Sequence, residues 1–155
     1  MQLHINEATI NQISTFIQAC PLDALDPRVP AALILTGPSI ASHALLFEQL
    51  SVVTTRVDNN IFTALTSSLA PNLKTLLKHL IHKATASTAS TDDDNDDDEG
   101  DQGRAIRKRP RLLNYDLRLL HEHVQEKNVS KVVVAFQDCE AFDGQLLSDV
   151  LDLLR

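Results

Sequence analysis

Apolar side chains recur at intervals of three and four in five stretches of the chain and run almost unbroken in three short ones. Over residues 6–20, Ile10, Ile13, Phe16 and Ile17 make a helical stripe, which Pro21 stops. Residues 21–30 carry three prolines and read as a loop. Residues 31–36 are a continuous apolar run, short enough for a strand buried on both faces and broken by Gly37-Pro38. Ser39 is placed to cap a helix running to about Val53, with Ile40, Leu46, Phe47 and Leu50 turned inward. Residues 61–66 predict a second strand. Pro71 then stands near the start of a helix to about Ala84, with Leu73, Leu76, Leu77, Leu80 and Ile81 on one face. Leu113, Leu117, Leu120 and Val124 align a helix over 112–126. Residues 131–136, KVVVAF, are the strongest strand pattern, and 142–154 form a last amphipathic helix through Phe142, Leu146, Leu147, Val150, Leu151 and Leu154.

Strands alternating with helices predict an α/β fold, a parallel sheet with helices on its faces, in which Leu33 and Val133 lie in a common sheet. Three strands are few for such a sheet, so an incomplete domain is expected. The pattern also divides the chain. Residues 1–85 carry the first part of the domain and 112–155 the second. Between them, 86–111 lose all periodicity.

Composition sharpens that division. The net charge is -7, yet eight acids lie between Asp92 and Asp101, and the rest of the chain sums to +1. A run of like charges without apolar residues repels itself and buries nothing, so this insertion is expected to be disordered. Aromatic residues are 4% of the chain, which leaves the core to Leu, Ile, Val and Ala. Cys20 and Cys139 have no CxxC partner and suggest no disulfide framework. The N-terminus lacks a secretory pattern, and no apolar stretch approaches the roughly 18 residues of a membrane span. A soluble, intracellular protein is expected.

Two motifs come close to nucleotide chemistry. A P-loop reads G-x-x-x-x-G-K-[ST]; its glycines let backbone N–H groups wrap phosphates, its lysine reaches them, and its hydroxyl holds Mg²⁺. Counted from Gly37, those positions fall on Ser42, His43 and Ala44. Ser42 adds a Cβ, His43 is too short and mostly neutral at pH 7, and Ala44 has no oxygen. The second is VVVAFQDCEAF. A Walker B strand ends in an acid that supports Mg²⁺, followed by a carboxylate that activates water. Here Gln137 takes the metal-supporting position and Asp138 the water-activating one, with Glu140 two residues on. Each pattern alone also fits an ordinary strand end. Together and in this order they describe a P-loop-type framework stripped of its chemistry.

The sequences AALILTGPSIASHALLFEQL, PNLKTLLKHLIHKA and KVVVAFQDCEAFDGQLLSDVLDLL, interrupted by an acidic insertion, resemble the N-terminal part of subunit 3 of the eukaryotic origin recognition complex. The resemblance implies a partial three-layer, P-loop NTPase-like (AAA+-like) domain that neither binds nor hydrolyses ATP and needs no cofactor. It implies a scaffold in a nuclear assembly that loads the replicative helicase, with other origin recognition complex subunits, notably 2 and 5, as partners and origin DNA bound by the whole. It implies neither a membrane nor a small-molecule substrate. The family protein is far longer, with a lid, a winged helix and a large insertion, so this chain is expected to be an N-terminal fragment.

Other features weigh less. Arg107, Lys108, Arg109, Pro110 and Arg111 form a candidate nuclear-import signal or phosphate-binding patch, against the plainer reading of a basic linker beside the acidic run. Ser90 and Thr91 precede the acids in a context suited to acidophilic kinases. His79 and His82, and His121 and His123, are close in sequence, but zinc wants about four convergent ligands. Cys139, between Asp138 and Glu140, is no better supported as a nucleophile. Two rival functions remain open: a divergent nucleotide hydrolase using Asp138 and Glu140, and a stand-alone acidic interaction module in the nucleus.

Overall fold

The computed structural model describes residues 6–21, 28–57, 59–86 and 113–154. Among these residues five α-helices and two strands follow in the order α1 (Glu7–Ala19), α2 (Ile40–Arg56), β1 (Ile61–Leu65), α3 (Leu73–Ala86), α4 (Leu117–Glu126), β2 (Val132–Phe136) and α5 (Gly144–Leu153). Short 3-10 turns at Ser67–Leu69 and Cys139–Ala141 follow the strands.

Side-chain carboxyl and amide groups set three of the helix starts. Asn72 Oδ1 accepts from the Thr75 N–H at 2.9 Å, ahead of α3. The Asp116 carboxylate accepts from the Arg118 N–H at 3.0 Å, and Asp143 from the Leu146 N–H at 3.0 Å. Each satisfies a donor that has no partner within its helix. The Asp116 cap also explains why α4 begins at Leu117 rather than 112. Leu113 stands outside the helix and is 58% exposed. Ser39 occupies the N-cap of α2 as expected, but its side chain makes no capping bond.

The strands are parallel, with Ile61 opposite Val132 and Leu65 opposite Phe136. Helices cover both faces. On one face Phe62, Ala64, Val133 and Ala135 meet Leu46, Phe47 and Leu50 of α2, with Ile10 and Ile13 of α1. On the other, Leu65, Val134 and Phe136 meet Leu76, Leu77 and Leu80 of α3 and Val150 of α5, while Ile61 and Val132 meet Ile81, Ala84 and Leu120. The segments before and after the insertion therefore share one core. Phe136 and Phe142 pack edge to face, with ring centroids 5.3 Å apart.

The expected strand over 31–36 does not form. That stretch has no regular structure, and Leu33 and Leu35 are 77% and 89% exposed. Only Ile34 turns inward, onto the α2 cluster. An apolar run becomes a strand when its backbone groups find a neighbour, and among the described residues the sheet consists of β1 and β2 alone. Leu33 and Val133 accordingly do not share a sheet. The same shortage leaves every residue of β2 half-buried, although VVVAF is suited to full burial. The acidic insertion, Ser90, Thr91 and the basic stretch Arg107, Lys108, Arg109, Pro110 and Arg111 lie outside the described residues.

Candidate functional site

A cleft of about 290 Å³ opens beside β1, between α2 and the end of the sheet. From α2 come Ala44 and Glu48, one turn apart; from β1, Thr63 and Ala64; from the last turn of α3, Lys83; and from the end of β2, Gln137. The Gln137 N–H donates to the Leu65 carbonyl at 3.0 Å, which fixes it where both strands end. The cleft thus brings together the two positions singled out as metal-supporting, Ala44 and Gln137. What they offer is a methyl group and a neutral amide. Glu48 is the carboxylate on the wall. Thr63 is 1% exposed, and its Oγ1 has no hydrogen-bond partner. Among the described residues no group of three or more His, Cys, Asp or Glu side chains converges as a metal site would need.

The loop leading into α2 is closed on itself. His43 Nε2 lies 2.5 Å from the Gly37 carbonyl oxygen, so that nitrogen carries the proton and donates. Ser42 Oγ donates to the Ser39 carbonyl at 2.7 Å, and the Ser42 and His43 N–H groups point to that same oxygen at 3.1 and 3.3 Å. Groups that would face a phosphate in a working loop are committed to the turn. A Cβ on Gly37 would meet nothing within 4 Å, so no close approach calls for glycine there.

Asp138, the candidate water-activating acid, is also committed. One carboxylate oxygen accepts from the Ser67 N–H at 2.9 Å and the other from Ser67 Oγ at 2.5 Å. With equal strand lengths and Leu65 opposite Phe136, Ser67 and Asp138 leave the sheet side by side. The carboxylate joins the two strand ends. Glu140 stands apart, exposed in the turn Cys139–Ala141.

The family model for the N-terminus of origin recognition complex subunit 3 matches residues 1–155. The chain belongs to this family. No curated protein and no solved structure matches it significantly. Membership gives the chain a role as an origin recognition complex subunit, associates it with the other subunits, and ties it to DNA replication.

In this subunit-3 sequence several expected residues stay apart from the cleft. His79 and His82 lie on α3, and His121 and His123 on α4, where His121 Nε2 meets the Gln125 side-chain amide at 2.9 Å. Cys139 is exposed. The two charged cleft residues, Glu48 and Lys83, carry no motif signal. Glu48 follows Ala44 by four residues and so shares its helix face. Lys83 follows the apolar pair Leu80-Ile81, and its Nζ reaches round to the Ala64 carbonyl at 2.7 Å.

Proposed function

We propose that this chain is a non-catalytic, structural part of the origin recognition complex that supports origin binding and helicase loading through protein–protein contacts in the nucleus. The observation that carries the non-catalytic reading is the pairing of Ala44 with Gln137 in one cleft while Asp138 is held by Ser67. Ala44 offers no hydroxyl and Gln137 no carboxylate for a metal, and both carboxylate oxygens of Asp138, next in sequence to Gln137, already accept hydrogen bonds. The rival hydrolase reading needs Asp138 free to orient water, and finds it engaged.

The AAA+-like framework belongs to this proposal. Right-handed crossovers on opposite faces of a sheet advance in opposite directions. The β1–β2 connection runs over the α3 face, and the step from 31–36 to β1 runs through α2 on the other face. Residues 31–36 therefore fall on the β2 side, with Ile34 in the α2-face cluster that holds Phe62 and Ala64 of β1 as well as Val133 and Ala135 of β2. A strand laid along β2 would give both β2 and 31–36 the neighbour they lack.

Contacts with the other subunits, subunits 2 and 5 foremost, then use the open edge of β2 and the exposed Leu33 and Leu35. Origin DNA is held by the assembled complex through phosphate attraction rather than base reading. Co-purification with the other subunits tests this. The N–H of Val134 points away from β1 in the observed register, so Val134→Pro blocks the edge without touching the β1 ladder. The expected result is loss of the partner subunits with the fold retained, and the same for Leu33→Asp combined with Leu35→Asp. Full recovery of partners by both variants would overturn the contact surface. Loss of all partners on deletion of 86–111 alone would favour the acidic-module reading instead.

A further inference from the structure

The two edges of the sheet are not equivalent. In the parallel register, the Ile61 N–H donates to the Lys131 carbonyl at 2.9 Å and the Gln137 N–H to the Leu65 carbonyl at 3.0 Å. Ile61, Thr63 and Leu65 therefore direct their backbone groups toward β2, and Phe62 and Ala64 direct theirs outward. By the same alternation Val132, Val134 and Phe136 face outward from β2. One of these outward groups has a charged partner: the Ala64 carbonyl accepts from Lys83 Nζ at 2.7 Å. Lys83 belongs to α3, on the far face of the sheet from α2, yet lines the cleft that α2 walls. Its side chain wraps the edge of β1.

We propose that Lys83 is an edge guard: its ammonium closes the outer edge of β1 to strand addition, so that the sheet accepts a further strand only along β2. The cleft of about 290 Å³ beside β1 shows why a guard is needed, since α2 leaves that edge accessible. A strand arriving at β1 must displace the ammonium from Ala64 or bury it unpaired, and burial of an unpaired charge is strongly unfavourable. A lysine presented at a strand edge is one of the means by which proteins suppress edge-to-edge pairing. On β2 no lysine takes the corresponding place among the described residues: Lys131 is turned elsewhere, its Nζ donating to the Ile17 carbonyl at 2.6 Å.

The test compares Lys83→Met, which keeps the length and removes the charge, with Lys83→Arg and the unaltered 155-residue chain. Sedimentation equilibrium reads association, and hydrogen exchange reads which amides become protected. Lys83→Met is expected to gain concentration-dependent association, with the Phe62 and Ala64 amides slowed at least about tenfold in the associated species. Lys83→Arg is expected to match the unaltered chain. Adding Ala64→Pro, whose lost N–H points outward, should abolish the new association. A folded Lys83→Met that sediments like the unaltered chain would overturn the proposal, as would new protection confined to Val132 and Val134. If Lys83→Met does not fold, Lys83→Gln takes its place with the same expected outcomes. Failure of both to fold would make Lys83 a structural strut and would equally overturn it.

Discussion

Thr63 carries a hydroxyl into a sheet face otherwise made of Ile61 and Leu65, and its Oγ1 finds no partner there. A buried hydroxyl without a hydrogen bond costs about 1–3 kcal/mol. Thr63→Val is therefore expected to raise the unfolding free energy by about 1 kcal/mol in urea titration. Asp138 is the opposite case. Its two charge-assisted hydrogen bonds to Ser67 tie the strand ends together, so Asp138→Ala is expected to lower stability by about 1–3 kcal/mol. The same substitution should leave nucleotide turnover at the level of the unaltered chain. Asn59 holds a left-handed backbone, φ 49°, while its Nδ2 donates to the Lys127 and Asn128 carbonyls at 2.9 and 3.0 Å. Asn59→Ala loses both bonds and strains the turn, an expected loss of about 2 kcal/mol by thermal or urea unfolding. The sequence alone shows which residue types stand at His43, Ala44 and Gln137. The partners of Asp138 and Lys83 were not legible in it, because Ser67 and Ala64 lie 71 and 19 residues away, and only the strand register and the packing of α3 on β1 bring them near.

At the scale of elements, helical periodicity carried most of the fold. Leu76, Leu80 and Val150 recur at helical spacing and are fully buried. Leu80→Ala is expected to cost about 2–5 kcal/mol, as for other closely packed core leucines. Leu35→Ala, at a side chain 89% exposed, should stay within about 0.5 kcal/mol. That contrast marks where the sequence pattern misleads. Both leucines sit in apolar runs, but a helix satisfies its own backbone, whereas a strand depends on a neighbour. Residues 31–36 have the side chains of a buried strand and, among the described residues, no strand to pair with. β2 has the apolar run and one neighbour, and is half-buried. Helix starts were less legible than helix faces: the Asp116 cap moved α4 five residues along, although Asp before a helical stripe is a recognised signal.

For the whole molecule, two halves of the chain fold onto one parallel pair of strands, with α1 and α2 on one face and α3, α4 and α5 on the other. That arrangement puts Ala44 and Gln137 on a single cleft although 93 positions separate them in sequence. Membership of the origin recognition complex subunit 3 family places the chain in an assembly of subunits. The most direct measurement is equilibrium titration of the chain with labelled ATP in the presence and absence of Mg²⁺. The expected result is no saturable, Mg²⁺-dependent binding. Micromolar binding that requires Mg²⁺ and is lost in Asp138→Asn would contradict the non-catalytic account.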